Sequence, residues 1–214
     1  MELVPTLIST GWASGVNAWG TVLMLGLLGR AGVGEVPDEL QREPVLIAAG
    51  VMYAIEFITD KVPYLDNTWD FISTLIRPAI GGTLGVEFAD LDQAGTVEQV
   101  LAGGGTGATA LTSHAIKTAL RLGINASPEP FSNIVVSLAE DAAVAGVVAL
   151  ALENPVPAAI IALLLMAAGI ALAILIWKRI RRAYRNWRAR RAGRSAPARP
   201  PEKTGQGAGP PDDR

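Results

Sequence analysis

His114, the chain's single histidine, is followed by Lys117 and Arg121, three and then four residues on, which lines three basic groups along one stripe of a helix. Glu56 and Asp60 share a face at the same spacing, with Lys61 beside them, and Asp66 and Asp70 repeat it. Arg77 precedes Pro78 inside an apolar tract, where a proline kink is expected to free backbone carbonyls beside the guanidinium. Glu140 and Asp141 are adjacent acids between "SNIVVSLA" and "AAVAGVVALAL". Asn17 stands in the first apolar tract, and Glu129 and Asn133 border the Ser127-Pro128-Glu129-Pro130 turn. These fourteen residues are the candidate substrate-binding or coupling set. Carboxylates, guanidinium, ammonium and imidazole in mixed sign suit a zwitterionic or anionic substrate, with a proton passed through His114 or a buried acid.

The chemistry matters because of where it sits. The 214 residues are 50% hydrophobic and 18% charged, with a mean hydropathy of +0.34, too apolar for an ordinary soluble domain. An ionisable group at the centre of a membrane helix costs about 2.5–3.5 kcal/mol on insertion scales, so each needs a partner or a role. Pairing of Asp60, Asp66 or Asp70 with Lys117 or Arg121 would offset that cost. The plainer alternative makes Lys117 and Arg121 snorkelling anchors at the cytoplasmic edge and the Ser-Pro-Glu-Pro run a rigid turn.

Other chemistries lack their residues. There is no cysteine, which excludes disulfides and thiolate metal sites, and one histidine cannot build a histidine-rich metal site. No nucleophile motif, phosphate loop or metal-ligand pattern is present, so no cofactor is expected and an enzyme is not the expected class. Metal-free acid/base work at Glu140, Asp141 and His114 is the third-ranked reading.

The expected fold is all-α and polytopic. Six apolar windows, 7–28, 45–58, 71–86, 100–122, 134–152 and 155–177, predict about six membrane helices in a transmembrane domain over 1–177. Ser14–Arg30 echoes Thr106–Leu122, with Gly15 on Gly107 and Asn17 on Thr109. In each half the next helix follows Glu-Pro and carries a mid-helix acid, Glu56 or Glu140. The echo predicts two inverted three-helix repeats, about 3–88 and 96–177, each with its first helix interrupted at a small-residue stretch, "STGWASG" or "AGGGTG". Helix packing through small residues explains the same glycines without any repeat.

Charge sets the orientation. Residues 178–214 hold twelve Lys/Arg against three acids, whereas 1–177 holds six against seventeen. By the positive-inside rule both termini are expected on the cytoplasmic side of a bacterial inner membrane. Residues 178–194 read as a basic amphipathic juxtamembrane helix, with Trp177, Ile180, Tyr184 and Trp187 on one side, and 195–214 as a disordered tail. The partners expected are the lipid bilayer, anionic lipid headgroups at the basic tail and a further copy of the chain in a homo-oligomer. Nucleic acid is not expected directly behind a membrane span.

Several motifs in order, Asp60-Lys61-x-Pro63, Asp66-x-x-Trp69-Asp70, Arg77-Pro78, His114-x-x-Lys117 and Ser127-Pro128-Glu129-Pro130-x-Ser132-Asn133, resemble the signature of a bacterial integral-membrane family known as domain of unknown function 4126. Ser14-Gly15-x-Asn17-Ala18 is similar to its opening motif. The resemblance implies a multi-helix membrane protein and supplies no reaction or substrate. Two functions therefore stand: a transporter or channel-like permease for a small polar, anionic or lipid-headgroup substrate, and a non-transporting scaffold that binds anionic lipid or a partner protein.

Overall fold

The structure is a computed structural model that describes residues 2–62, 65–124 and 130–194, without side-chain detail at 66, 67, 130, 132 and 189–194. Its described residues are all-α. The order is α1 (Leu3–Val16), α2 (Ala18–Arg30), a single 3-10 turn (Asp38–Gln41), α3 (Glu43–Thr59), α4 (Leu65–Leu91), α5 (Thr96–Ile124), α6 (Pro130–Glu153) and α7 (Pro155–Arg194). Each apolar window of the sequence falls on helix.

Local chemistry marks the ends. Proline opens α6 and α7 and sits in the first turn of α3, where a missing N–H costs nothing. The α2 C-terminus closes with Gly32 at φ +75: its N–H donates to the Gly29 carbonyl and that of Val33 to Leu28, the paired bonds that a left-handed glycine permits. Asn17 is extended at φ −148, ψ 98, and so separates α1 from α2.

Among the described residues two helices are long and apolar enough to cross a membrane by length and composition, Asn133–Glu153 and Pro155–Arg188. The others fall short for physical reasons. α1 and α2 are 14 and 13 residues because Asn17 divides them, α3 has 17, and α4 and α5 carry the charged residues read above.

Two expectations are corrected. The "AGGGTG" stretch does not interrupt a helix, since α5 runs unbroken through it. It is a packing surface: a Cβ on Gly103 would lie 3.1 Å from the Gly82 carbonyl oxygen, and one on Gly107 would lie 3.0 Å from that of Pro78. The break in the first half comes after its small residues, at Asn17. Pro78 likewise lies within the single helix α4, and the carbonyl that Arg77 binds belongs to α1.

The chain divides into two units after Trp177. In the first, α1, α4 and α5 form the tightest layer, and α2 packs against α3 and α6. At the α1–α5 crossing a Cβ on Gly15 would collide with Ser113 Oγ and the Ala110 carbonyl, so only glycine allows these backbones to meet. Beside an apolar core that includes Leu25, Leu84, Phe88 and Val148, large apolar side chains also lie outside and charged ones inside. Phe71 and Leu75 are 82% and 80% exposed, whereas Arg77, His114 and Arg121 are at most 2% exposed. In the second unit, α7 extends to Arg194, with Trp177, just before the boundary, and Ile180, Tyr184 and Trp187 exposed.

Candidate functional site

The helix break creates the site. A helix ends with carbonyls that no intrahelical donor reaches and begins with N–H groups that no carbonyl reaches, and the two ends carry opposite partial charge. At the α1 C-terminus the Gly15 carbonyl accepts from Arg77 Nη1 at 3.1 Å and the Val16 carbonyl from Lys117 Nζ at 2.9 Å. Ser113 Oγ donates to the Trp12 carbonyl at 2.8 Å. At the α2 N-terminus Asn17 Oδ1 accepts from the Gly20 N–H at 2.8 Å, and Asn17 Nδ2 donates to Asp141 at 3.0 Å. Cations thus meet the negative end and an acid stands beside the positive end.

Three ion groups surround the break. In the first, Arg77 reaches Glu56 at 2.6 Å and Asp70 at 3.2 Å. Arg77 Nη1 also lies 2.8 Å from His114 Nδ1. A guanidinium only donates, so Nδ1 is the acceptor and the ring proton is on Nε2, which donates to Thr74 Oγ1 at 3.1 Å. The Thr74 hydroxyl in turn donates to the Asp70 carbonyl at 3.0 Å. His114 is therefore a neutral imidazole with a fixed tautomer.

In the second group, Lys117 Nζ binds Asp60 at 2.7 Å and lies 3.5 Å from Glu140. Arg121 binds Glu140 at 2.6 Å and lies 3.4 Å from the Asp60 carboxylate. Arg121 also donates to the Asp60 carbonyl at 2.7 Å and to Asn133 Oδ1 at 2.9 Å, while Asn133 Nδ2 donates to that same carbonyl at 3.2 Å. Asp60 ends α3, so a second helix C-terminus is held by a cation from α5. In the third group, Lys61 lies 3.6 Å from Asp141, donates to Ser137 Oγ and the Phe57 carbonyl, and sits over the Phe57 ring.

Two cavities adjoin the break from its two sides. The larger, about 290 Å³, lies among α1, α5, α6 and α7; Trp12, Ile116, Val136 and Leu165 wall it, and Lys117 and Glu140 supply its charge. The smaller, about 80 Å³, is lined by Asn17, Gly20, Tyr53 and Asp141. The adjacent acids thus serve different spaces, Glu140 one and Asp141 the other.

Twelve of the fourteen sequence-predicted residues converge here: Asn17, Glu56, Asp60, Lys61, Asp70, Arg77, His114, Lys117, Arg121, Asn133, Glu140 and Asp141. Glu129 lies outside the described residues, as does the side chain of Asp66. Lys117 and Arg121 are not snorkelling anchors: they are 3% and 0% exposed and bound to acids. Asp70 pairs with Arg77 rather than with the α5 cations. Asn133 sits inside α6, bound to Arg121. Sequence reasoning missed Thr74, Ser113 and Ser137. Each had a signal in its spacing, because Asp70-Thr74-Arg77 and Asn133-Ser137-Glu140 both run four then three, and Ser113 is four before Lys117. The carbonyls of Trp12, Gly15 and Val16 had no side-chain signal.

Among the described residues no cluster of His, Cys, Asp and Glu is placed to hold a metal ion. What the geometry defines is an all-α protein with an apolar exterior and a buried, mixed-sign ion network gathered on a helix break. The chain belongs to the family described as "Domain of unknown function (DUF4126)", whose model matches residues 4–176, and that match ends before the basic extension. No curated protein and no solved structure matches it.

Proposed function

We propose that this protein is an integral membrane transporter or channel-like permease of the bacterial cytoplasmic membrane, for a small polar, anionic or lipid-headgroup substrate. The observation that carries the reading is the interrupted helix α1–α2, whose free carbonyls bind Arg77 and Lys117 and whose opposite end meets Asp141 through Asn17. Discontinuous helices with charged partners near the bilayer midplane are how many secondary transporters build a site that rocks between two accessible states. The two cavities flanking the break suit such a path.

In this reading α1 with α2 counts as one crossing and α3 to α7 supply five more, which leaves both termini cytoplasmic beside the arginine-rich extension. The outward-facing apolar side chains of α4, α5 and α7 favour lipid contact. Two inverted halves remain part of the proposal: Glu56 of α3 and Glu140 of α6, the paired mid-helix acids of the echo, each bind an arginine in the network. Only the first half contributes a broken helix.

Proteoliposomes loaded with a pH-sensitive dye test the proposal when challenged with inorganic phosphate, short-chain carboxylates and amino acids, and with fluorescent phosphatidylglycerol to follow headgroup movement. At least one should move faster than in protein-free vesicles, with the excess lost in Glu140→Gln. Transport no faster than in empty vesicles for every probe rejects it.

A second reading has its own observation. Lys178, Arg181, Arg182 and Arg185 form one exposed stripe of α7 and surround a shared hollow, suited to anionic headgroups at about 1 kcal/mol per basic residue. A scaffold would act through this stripe. Removing residues 178–214 should then abolish the cellular phenotype while leaving the core folded, whereas a transporter keeps its flux.

A further inference from the structure

The three ion groups do not balance equally. Lys117 and Arg121 face Asp60 and Glu140, two against two, and Lys61 faces Asp141. Arg77 alone faces both Glu56 and Asp70. His114 brings no charge, because its Nδ1 accepts from Arg77. Among the described side chains the network therefore holds five carboxyl groups against four cations, and the surplus sits at the Arg77 end.

Glu56 is committed to Arg77 by a 2.6 Å hydrogen bond. Asp70 is not. It is fully buried, both its oxygens lack a hydrogen-bond partner, and its one ion pair is the 3.2 Å approach to Arg77. Asp141 also has an oxygen without a hydrogen bond, but its other oxygen accepts from Asn17, and Lys61 stands opposite. An ionised carboxylate in a dry interior is costly unless charge and hydrogen bonds together compensate it, and a group with no hydrogen bond and only a shared counter-charge takes up a proton instead.

We propose that Asp70 is a proton-binding site: its carboxyl carries the proton that neutralises the surplus charge of the network. The groups facing it are Arg77 on its own helix, Glu56 across Arg77 and Asp60 on α3, and Lys117, Arg121 and neutral His114 on α5. α1 has no titratable side chain, and the only one of α2 is Arg30 at its far end. A metal cation is disfavoured at the same place, because the guanidinium occupies the approach to Oδ1. When Asp70 releases its proton, two carboxylates compete for one guanidinium. Arg77 is then drawn from the Gly15 carbonyl and from His114, which loosens the end of α1. This places the proton beside the one arginine that links the helix break to α3 and α5. Its use in coupling rests on the transport reading; its presence does not.

Infrared spectroscopy of the full chain in lipid nanodiscs reads the protonation directly. At neutral pH the wild type should show the carbonyl stretch of a protonated carboxyl. That band should vanish in Asp70→Asn, persist in Glu140→Gln, and fade in Glu56→Gln, which leaves Asp70 as the one carboxylate to pair with Arg77. Asp70→Asn should also melt no lower than wild type, since the amide is as neutral as the protonated acid. A wild-type spectrum without the band, a band that survives Asp70→Asn, or a lower Tm for Asp70→Asn overturns the assignment. Because no solute is involved, failure here leaves the transport proposal to its own test.

Discussion

The Arg77 and Arg121 ends of the network use the same residue types to opposite effect. Around Arg77 the titratable side chains are sealed, with Glu56, Asp70 and His114 at most 2% exposed, and the cation is outnumbered. Around Arg121 the described charges are matched, and the Glu140 side chain, 17% exposed, opens on the larger cavity. The sealed end can store a proton and tie helices together. The open end can touch a solute. Charge surplus and access are thus separated along α5, with His114 at one end of its stripe and Arg121 at the other.

The largest expected effect breaks the sealed end. Arg77→Met leaves two carboxyl groups facing one another and strips the Gly15 carbonyl of its donor, so a loss of about 3–5 kcal/mol is expected, read as a fall in thermal midpoint in detergent. Asn17→Ala is intermediate. It removes the cap on the Gly20 N–H and the link to Asp141, at about 0.5–2 kcal/mol, and should raise amide exchange in the first turn of α2. Lys61→Ala is the smallest, about 0–1 kcal/mol, because its pair with Asp141 is long and partly exposed. If Lys61→Ala proves as damaging as Arg77→Met, burial does not separate these pairs and the comparison fails.

Much of this was legible in the sequence because helical spacing is a strong signal. Three- and four-residue intervals put His114, Lys117 and Arg121 on one face, and the burial cost of each charge demanded partners. Which acid served which base was not legible, since Asp60 takes both α5 cations only because it ends α3 beside α5. The glycines misled for a physical reason. Gly103 and Gly107 look like a helix breaker by propensity, yet tight packing on α4 outweighs that propensity, whereas Asn17, a single polar residue, breaks its helix because Arg77, Lys117 and Asp141 satisfy the ends it exposes. Backbone carbonyls, as ligands, leave no trace in residue type.

The account depends on the ion network lying inside a bilayer, and Leu75 reports on that. It sits between Asp70 and Arg77 on α4, 80% exposed on the outer face, in a chain with no native cysteine to remove. A spin label on Leu75→Cys in liposomes should relax strongly with oxygen and weakly with a water-soluble nickel complex. Strong relaxation by nickel and weak relaxation by oxygen would place this face in water and contradict the account.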